Sequence, residues 1–106
     1  MPVKACDDAK TLKNALSEAE EKLVVIDFHA TWCGPCVRIA PALSKMSESM
    51  KDVVFLKVDV DLFSEAAEEY QIEAMPTFKL VKGGSVVASI QGADAAAVEA
   101  AINQYK

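Results

Sequence analysis

No stretch of this sequence is apolar for long enough to cross a bilayer. Its longest uncharged run, Gly83 to Ala93, falls far short of the roughly 20 residues required. No basic opening followed by an apolar segment marks a secretory signal, so a cytoplasmic location and no membrane partner are expected. Positive charge is the minority sign, with 11 Lys and Arg against 16 Asp and Glu and a formal net charge of −5. A protein that tracks phosphates needs a basic face, so no nucleic-acid partner is expected either. Repeats, low-complexity segments and Ser/Gly/Pro linkers are all lacking. Cysteine is scarce and odd in number: Cys6, Cys33 and Cys36. A secreted disulfide scaffold uses more, in pairs. His29 is the single histidine. Zinc takes four protein ligands in a structural site and three in a catalytic one. Only Cys6 and His29 stand ready to join Cys33 and Cys36, and there is no second Cys-x-x-Cys. No metal and no cofactor are therefore expected.

What is present is an apolar share of 52% in 106 residues. That is enough for a core and fits one domain over residues 1–106. Residues 3–6 suggest a short first strand, and Asp7 and Asp8 offer an N-cap after it. Leu12, Ala15, Leu16 and Ala19 then recur at helical spacing. Leu23 to Phe28 is apolar without alternation, broken only by Asp27, which reads as a strand covered on both faces. Beyond Cys36 the spacing of Ile39, Leu43, Met46 and Met50 is helical, with Pro35 suited to the first turn and Pro41 expected to bend the interior. Val53 to Val60 reads as a strand. Asp61 is expected to cap a short helix bearing Phe63, Ala66, Ala67 and Tyr70. Thr77–Lys82 and Ser85–Gln91 read as two strands joined by Gly83-Gly84, a hairpin signal because type I′ turns need φ > 0 at both positions. Asp94 caps a last helix with Val98, Ala101, Ile102 and Tyr105 on one side. The order β-α-β-α-β-α-β-β-α belongs to the α/β class and predicts one mixed sheet with helices on both faces.

The strongest local signal is Trp32-Cys33-Gly34-Pro35-Cys36 at a strand-to-helix junction. By spacing alone, Cys-x-x-Cys serves redox chemistry or metal. Only a thiolate attacks a disulfide, and a helix N-terminus stabilises an anion through its free N–H groups and dipole. Cys33 sits at that end. Cys36, one turn on, is near enough to attack Cys33 once a mixed disulfide has formed. Gly34-Pro35 gives a tight turn and brings no charge.

The run Asp27-Phe28-His29-Ala30-Thr31-Trp32-Cys33-Gly34-Pro35-Cys36 resembles the thioredoxin family. So do Pro41, Val58-Asp59-Val60-Asp61, Met75-Pro76-Thr77-Phe78 and Gly92-Ala93, in that order. The likeness is to the cytosolic animal-type members and runs from about Leu23 to Ala93. It implies the thioredoxin fold, a central five-stranded mixed sheet flanked by four helices, and protein-disulfide reductase activity that maintains cell redox homeostasis. It implies Cys33 as nucleophile, Cys36 as resolving thiol and a redox-active disulfide between them. Pro76 matches the family's cis-proline, with Met75 before it pairing through its backbone with an extended client. Trp32, Pro76, Gly92 and Ala93 then form a shallow apolar client surface, and Asp61 accepts a hydrogen bond from the Trp32 indole. A thioredoxin reductase-type, NADPH-dependent flavoprotein is implied as the partner that returns electrons. Peroxiredoxins, ribonucleotide reductase and methionine sulfoxide reductases are implied as clients.

Asp27 reads as a buried acid that relays protons to Cys36, or more plainly as a strand-edge carboxylate in water. Lys57, on the next predicted strand, reads as its helper or as a solvated lysine. His29 stands where the family has a small residue or Trp, and reads as a structural histidine or as a group that tunes the site. Val37 replaces an often basic residue. Ala74 removes a thiol through which some animal members dimerise, so a monomer is expected. Cys6 matches no family cysteine; it reads as a passive thiol or, if the first strand lies at the surface, as a candidate for linking two protomers. Two rivals stand beside the reductase reading. One is an interaction domain with incidental cysteines. The other is an oxidase or isomerase, which Pro35 opposes because those groups usually carry His there.

Overall fold

The computed structural model describes residues 3–106. Strand β1 (Val3–Ala5) leads to α1 (Ala9–Ala19), β2 (Val24–His29), α2 (Gly34–Ser49) and β3 (Val54–Asp59). These are followed by α3 (Ser64–Glu69), β4 (Thr77–Lys82), β5 (Ser85–Gln91) and α4 (Ala95–Tyr105). The five strands form one sheet in the order β1-β3-β2-β4-β5. β1, β3 and β2 run parallel, while β4 is antiparallel to β2 and β5 to β4. The expected mixed sheet with four helices is therefore what forms.

β2 lies at the middle of the sheet, and Val24 to Phe28 are all buried. That explains its unbroken apolar run: alternate residues feed two cores. On one side Val24, Ile26 and Phe28 meet Leu12, Ala15 and Ala19 of α1 and Ala66 of α3. On the other, Leu23 and Val25 meet Ile39, Leu43 and Met46 of α2 and Val98 and Ile102 of α4. Phe28 and Phe78 are fully buried, each contributing about 1.5–3 kcal/mol relative to exposure.

Local signals set the element ends. The Thr11 N–H donates to Asp8 Oδ1 at 2.8 Å and the Ala97 N–H to Asp94 Oδ1 at 3.0 Å, so both expected aspartate caps form. Gly83 and Gly84 have φ of +60° and +82°, the left-handed pair the tight hairpin needs. α2 continues as one helix past Pro41.

One expectation is corrected, and one alternative is set aside. Asp61 does not cap α3. The helix starts three residues later, Phe63 is its N-cap residue and no side chain caps it. Asp59 organises this turn instead. Its carbonyl accepts the Leu62 and Phe63 N–H groups, and its Oδ1 accepts the Asp61 N–H at 2.9 Å. Cys6 is not at the surface either. β1 is an edge strand, yet Cys6 just beyond it is fully enclosed among Leu12, Phe28 and Val58 on the α1 side. Its N–H donates to the Lys57 carbonyl at 2.8 Å, which draws the chain inward.

Candidate active site

The turn between β2 and α2 carries the dithiol motif. Cys33 is the N-cap residue of α2, with extended backbone at φ −86° and ψ 109°. Its sulfur accepts the Cys36 N–H at 3.2 Å. The first N–H groups of a helix lack partners within it, and this sulfur takes the place a Ser or Asp oxygen usually fills. Pro35, in the first turn, has no N–H to satisfy. Cys33 and Cys36 are joined as a disulfide, their Cα atoms 5.2 Å apart. Gly34 is not forced by its own backbone. A Cβ there would meet only the Arg38 guanidinium, at 3.3 Å, and that side chain can move.

Distant parts of the chain close around the sulfurs. The Met75–Pro76 bond is cis. The Met75 carbonyl oxygen lies 3.7 Å from Cys33 Sγ, and Val60 and Met75 pack against Ala30, Cys33 and Cys36. Pro76 is buried, and its carbonyl accepts the Gly92 N–H at 2.8 Å. Gly92 has φ of +103°, where an L side chain is strained, so glycine is needed to close this side. Ala93 next to it is exposed. Trp32 is 67% exposed, and its indole N–H donates to Asp61 Oδ2 at 2.8 Å. A hydrogen bond thus holds this large ring out in solvent, at the surface rather than in the core.

Behind the disulfide lies a cleft of about 280 Å³ lined by Asp27, His29, Thr31, Cys36, Val37 and Lys57, among others. Asp27 is only 6% exposed and its Oδ1 has no hydrogen-bond partner. Burial raises its carboxyl to about 7, with the Lys57 charge opposing. The strand-edge alternative for Asp27 is thereby set aside. Lys57 sits directly across from Asp27 in the β2–β3 register but is itself exposed. His29 is half-buried, and burial lowers its imidazole from the ordinary value. Among the described residues no group of three or more His, Cys, Asp or Glu is arranged to hold a metal.

The structure thus brings Asp27, Trp32, Cys33, Cys36, Met75, Pro76 and Gly92 to one end of the sheet. Two nearby residues of the Val58-Asp59-Val60-Asp61 motif carry roles that the sequence does not assign. Asp59 is a buried acid whose N–H bonds Asp7 and whose carboxylate shapes the loop that presents Asp61. Its signal was alternation, two residues past Lys57 on the same strand. Val60, packed on the dithiol, stands in the same family-like motif, but its residue type gives no sign of that contact.

A redox-active cysteine pair capping a helix, beside a cis-proline on a mixed five-stranded sheet, defines a thiol–disulfide oxidoreductase. The thioredoxin family model matches residues 3–104. The chain is similar to a thioredoxin of Callithrix jacchus, 45% identical over 103 residues that cover 97% of this chain and 98% of that one. It superimposes on the crystal structure of Fasciola hepatica thioredoxin with a TM-score of 0.94 at 38% identity, covering 97% of this chain and 99% of that one. A third match, at TM-score 0.86 and 35% identity, covers 96% and 94% of the two chains. It comes from a study of thiol resolving in yeast mitochondrial 1-Cys peroxiredoxin via glutathione/thioredoxin systems. The chain belongs to the thioredoxin family, and its activity is protein-disulfide reduction. No helix among the described residues is long and apolar enough to cross a membrane.

Proposed function

We propose that Cys33 is the nucleophile and Cys36 the resolving thiol in the transfer of two electrons to client disulfides. The observation that carries this reading is the Cys33 sulfur at the α2 N-cap, accepting the Cys36 N–H. The same N–H and the helix dipole favour a thiolate on Cys33. That thiolate attacks a client disulfide; one client sulfur leaves and takes up a proton, and a mixed disulfide forms. Cys36 then attacks Cys33, closing the 33–36 disulfide and releasing the second client thiol. Asp27 accepts the Cys36 proton, a task suited to a carboxyl near 7. Lys57, across from it, helps by favouring the charged carboxylate. Gly34 and Pro35 hold the two sulfurs one turn apart without adding charge.

The client lies in extended form over Trp32, Met75, Gly92 and Ala93, its backbone pairing with that of Met75; Pro76, expected in that surface, is buried beneath it. Oxidised protein is returned to the dithiol by a thioredoxin reductase-type flavoprotein that draws on NADPH. Peroxiredoxins head the client list, supported by the match to the yeast 1-Cys peroxiredoxin study. Ribonucleotide reductase and methionine sulfoxide reductases follow from the family likeness. Residues 1–106 act as one domain, a cytoplasmic monomer. The test is trapping. Cys36→Ser mixed with a disulfide client should accumulate a covalent adduct on Cys33, read by mass spectrometry, while Cys33→Ser should accumulate none. Adducts on Cys33→Ser alone would reverse the two roles.

A further inference from the structure

We propose that His29 carries protons between solvent and Asp27 across the cleft behind the disulfide, and so governs how fast Cys36 resolves the mixed disulfide. The proposal rests on the assignment of Asp27 as proton acceptor made above. On the α2-facing side of the sheet, successive β2–β3 rungs are Val25 with Phe55, Asp27 with Lys57, and His29 with Asp59. Side chains two apart on a strand share a face. The apolar core therefore gives way to two ionisable rungs at the end of the strands where Cys36 lies. Asp27, His29, Lys57 and Cys36 all line one cleft of about 280 Å³, which is wide enough to admit water.

Asp27 is sealed, with one carboxylate oxygen unpartnered. Asp27 must be empty before it can accept the Cys36 proton, and near pH 7 part of the molecules hold a proton there that has to leave first. Lys57 in its charged form is a donor only and cannot accept that proton. Of the other side chains that line the cleft, Ala30, Val37 and Ala40 are apolar, and the Thr31 hydroxyl hydrogen-bonds but is too weak a base to take up a proton near neutral pH. His29 is half-buried, so its ring reaches both cleft and solvent, and a neutral imidazole both donates and accepts. The charged groups around it are Asp59 across the rung, Asp7 beyond, Lys57, and Asp27 two residues back on β2. From α2 the cleft receives only Cys36, Val37 and Ala40, none of them charged in the resting protein. Burial and Lys57 favour neutral imidazole, against Asp59 and Asp7. The ring is thus in the accepting form near pH 7.

In the resolving step the Cys36–Cys33 bond forms and the Cys33–client bond breaks. The Cys36 proton passes to Asp27, then through His29 to solvent, and the client thiolate takes a proton from solvent. No electron or proton is gained or lost overall. His29 touches neither client nor sulfur in this scheme; it is a positioning residue for the proton and acts through Asp27.

The experiment measures the limiting single-turnover rate at saturating insulin by rapid acid quench, from pH 5 to 9, for wild type, His29→Ala and His29→Gln. His29→Ala should be slower by about tenfold near pH 7, below the 10²–10⁴ of direct acid–base catalysis because the ring acts at one remove. Added imidazole should restore that rate in a saturable way. His29→Gln should lose one of the two protonations that slow the wild type on the acid side. Absence of turnover in wild type would sink this proposal together with the reductase reading. Intact wild-type turnover, with either variant keeping the wild-type rate and profile, or slowed without imidazole rescue and without change in profile shape, would overturn the relay alone.

Discussion

A carboxyl group between Ile26 and Phe28, on the central strand of a sheet covered on both sides, loses most of its water. For Asp27 the loss outweighs the attraction of Lys57, and the carboxyl rises from 3.8 to about 7. The sign of its effect on stability follows. Below about pH 4 both folded and unfolded chains hold the proton, and burial exacts no charge penalty. As pH rises the unfolded chain releases the proton first, so stability falls until about pH 7 and is level above it. The full difference is about 4 kcal/mol, at 1.36 kcal/mol for each unit. His29 works in the opposite sense, because an imidazole held below its ordinary value loses stability as pH falls below about 6.5. Asp27→Asn should therefore be more stable than wild type at pH 8, by up to about that 4 kcal/mol, and should show little gain at pH 4. Urea unfolding at both pH values measures it. The same variant should reduce insulin more slowly. A variant destabilised at pH 8 would show that the carboxyl is solvated after all.

Among the elements, the helices differ in how they begin. α1 and α4 each start with an aspartate that accepts a backbone N–H three residues on. α3 has no such cap and only six residues, and it is held by packing of Ala66 and by the Asp59 turn before it. Asp94→Ala should cost about 1 kcal/mol, the usual worth of an N-cap. Thermal unfolding should then begin roughly 4–8 °C lower. α4 packs Val98 and Ile102 into the α2-side core beside Leu43 and Phe78, so the cost should appear in global unfolding. The cap that α3 lacks is also informative. Asp61 is free to hold the Trp32 indole because the helix does not use it. Of the two roles the sequence offered Asp61, helix cap and Trp32 partner, it fills the second.

Across the whole molecule, position decides which of the three cysteines reacts, since all three are buried. Cys33 and Cys36 lie at the end of the sheet, while Cys6 lies inside the α1-side core with its thiol pushed up by desolvation. A buried, protonated thiol is a poor nucleophile. In native oxidised protein Cys6 should resist iodoacetamide, and it should label fully once guanidinium unfolds the chain. Non-reducing electrophoresis should show no dimer that depends on Cys6. Rapid labelling of the native protein would contradict its burial. The sequence alone determined the order of elements, the Gly83-Gly84 hairpin, the Asp8 and Asp94 caps and the doubly buried β2. Each is written in neighbouring residues through periodicity, capping or backbone sterics. It also determined the Cys-Gly-Pro-Cys pair, because the two cysteines sit one helical turn apart. Tertiary structure decided what depends on residues far apart in the chain. It seated Met75 against Cys33, turned Asp61 toward Trp32, drew Cys6 inward through the Lys57 carbonyl, and set His29 on the same cleft as Asp27. None of these has a local signature, since a carboxyl, a thiol or an imidazole reads alike in water and in a core. Only the packing of β2 between its neighbours, under the first turn of α2, removes the solvent that distinguishes the two.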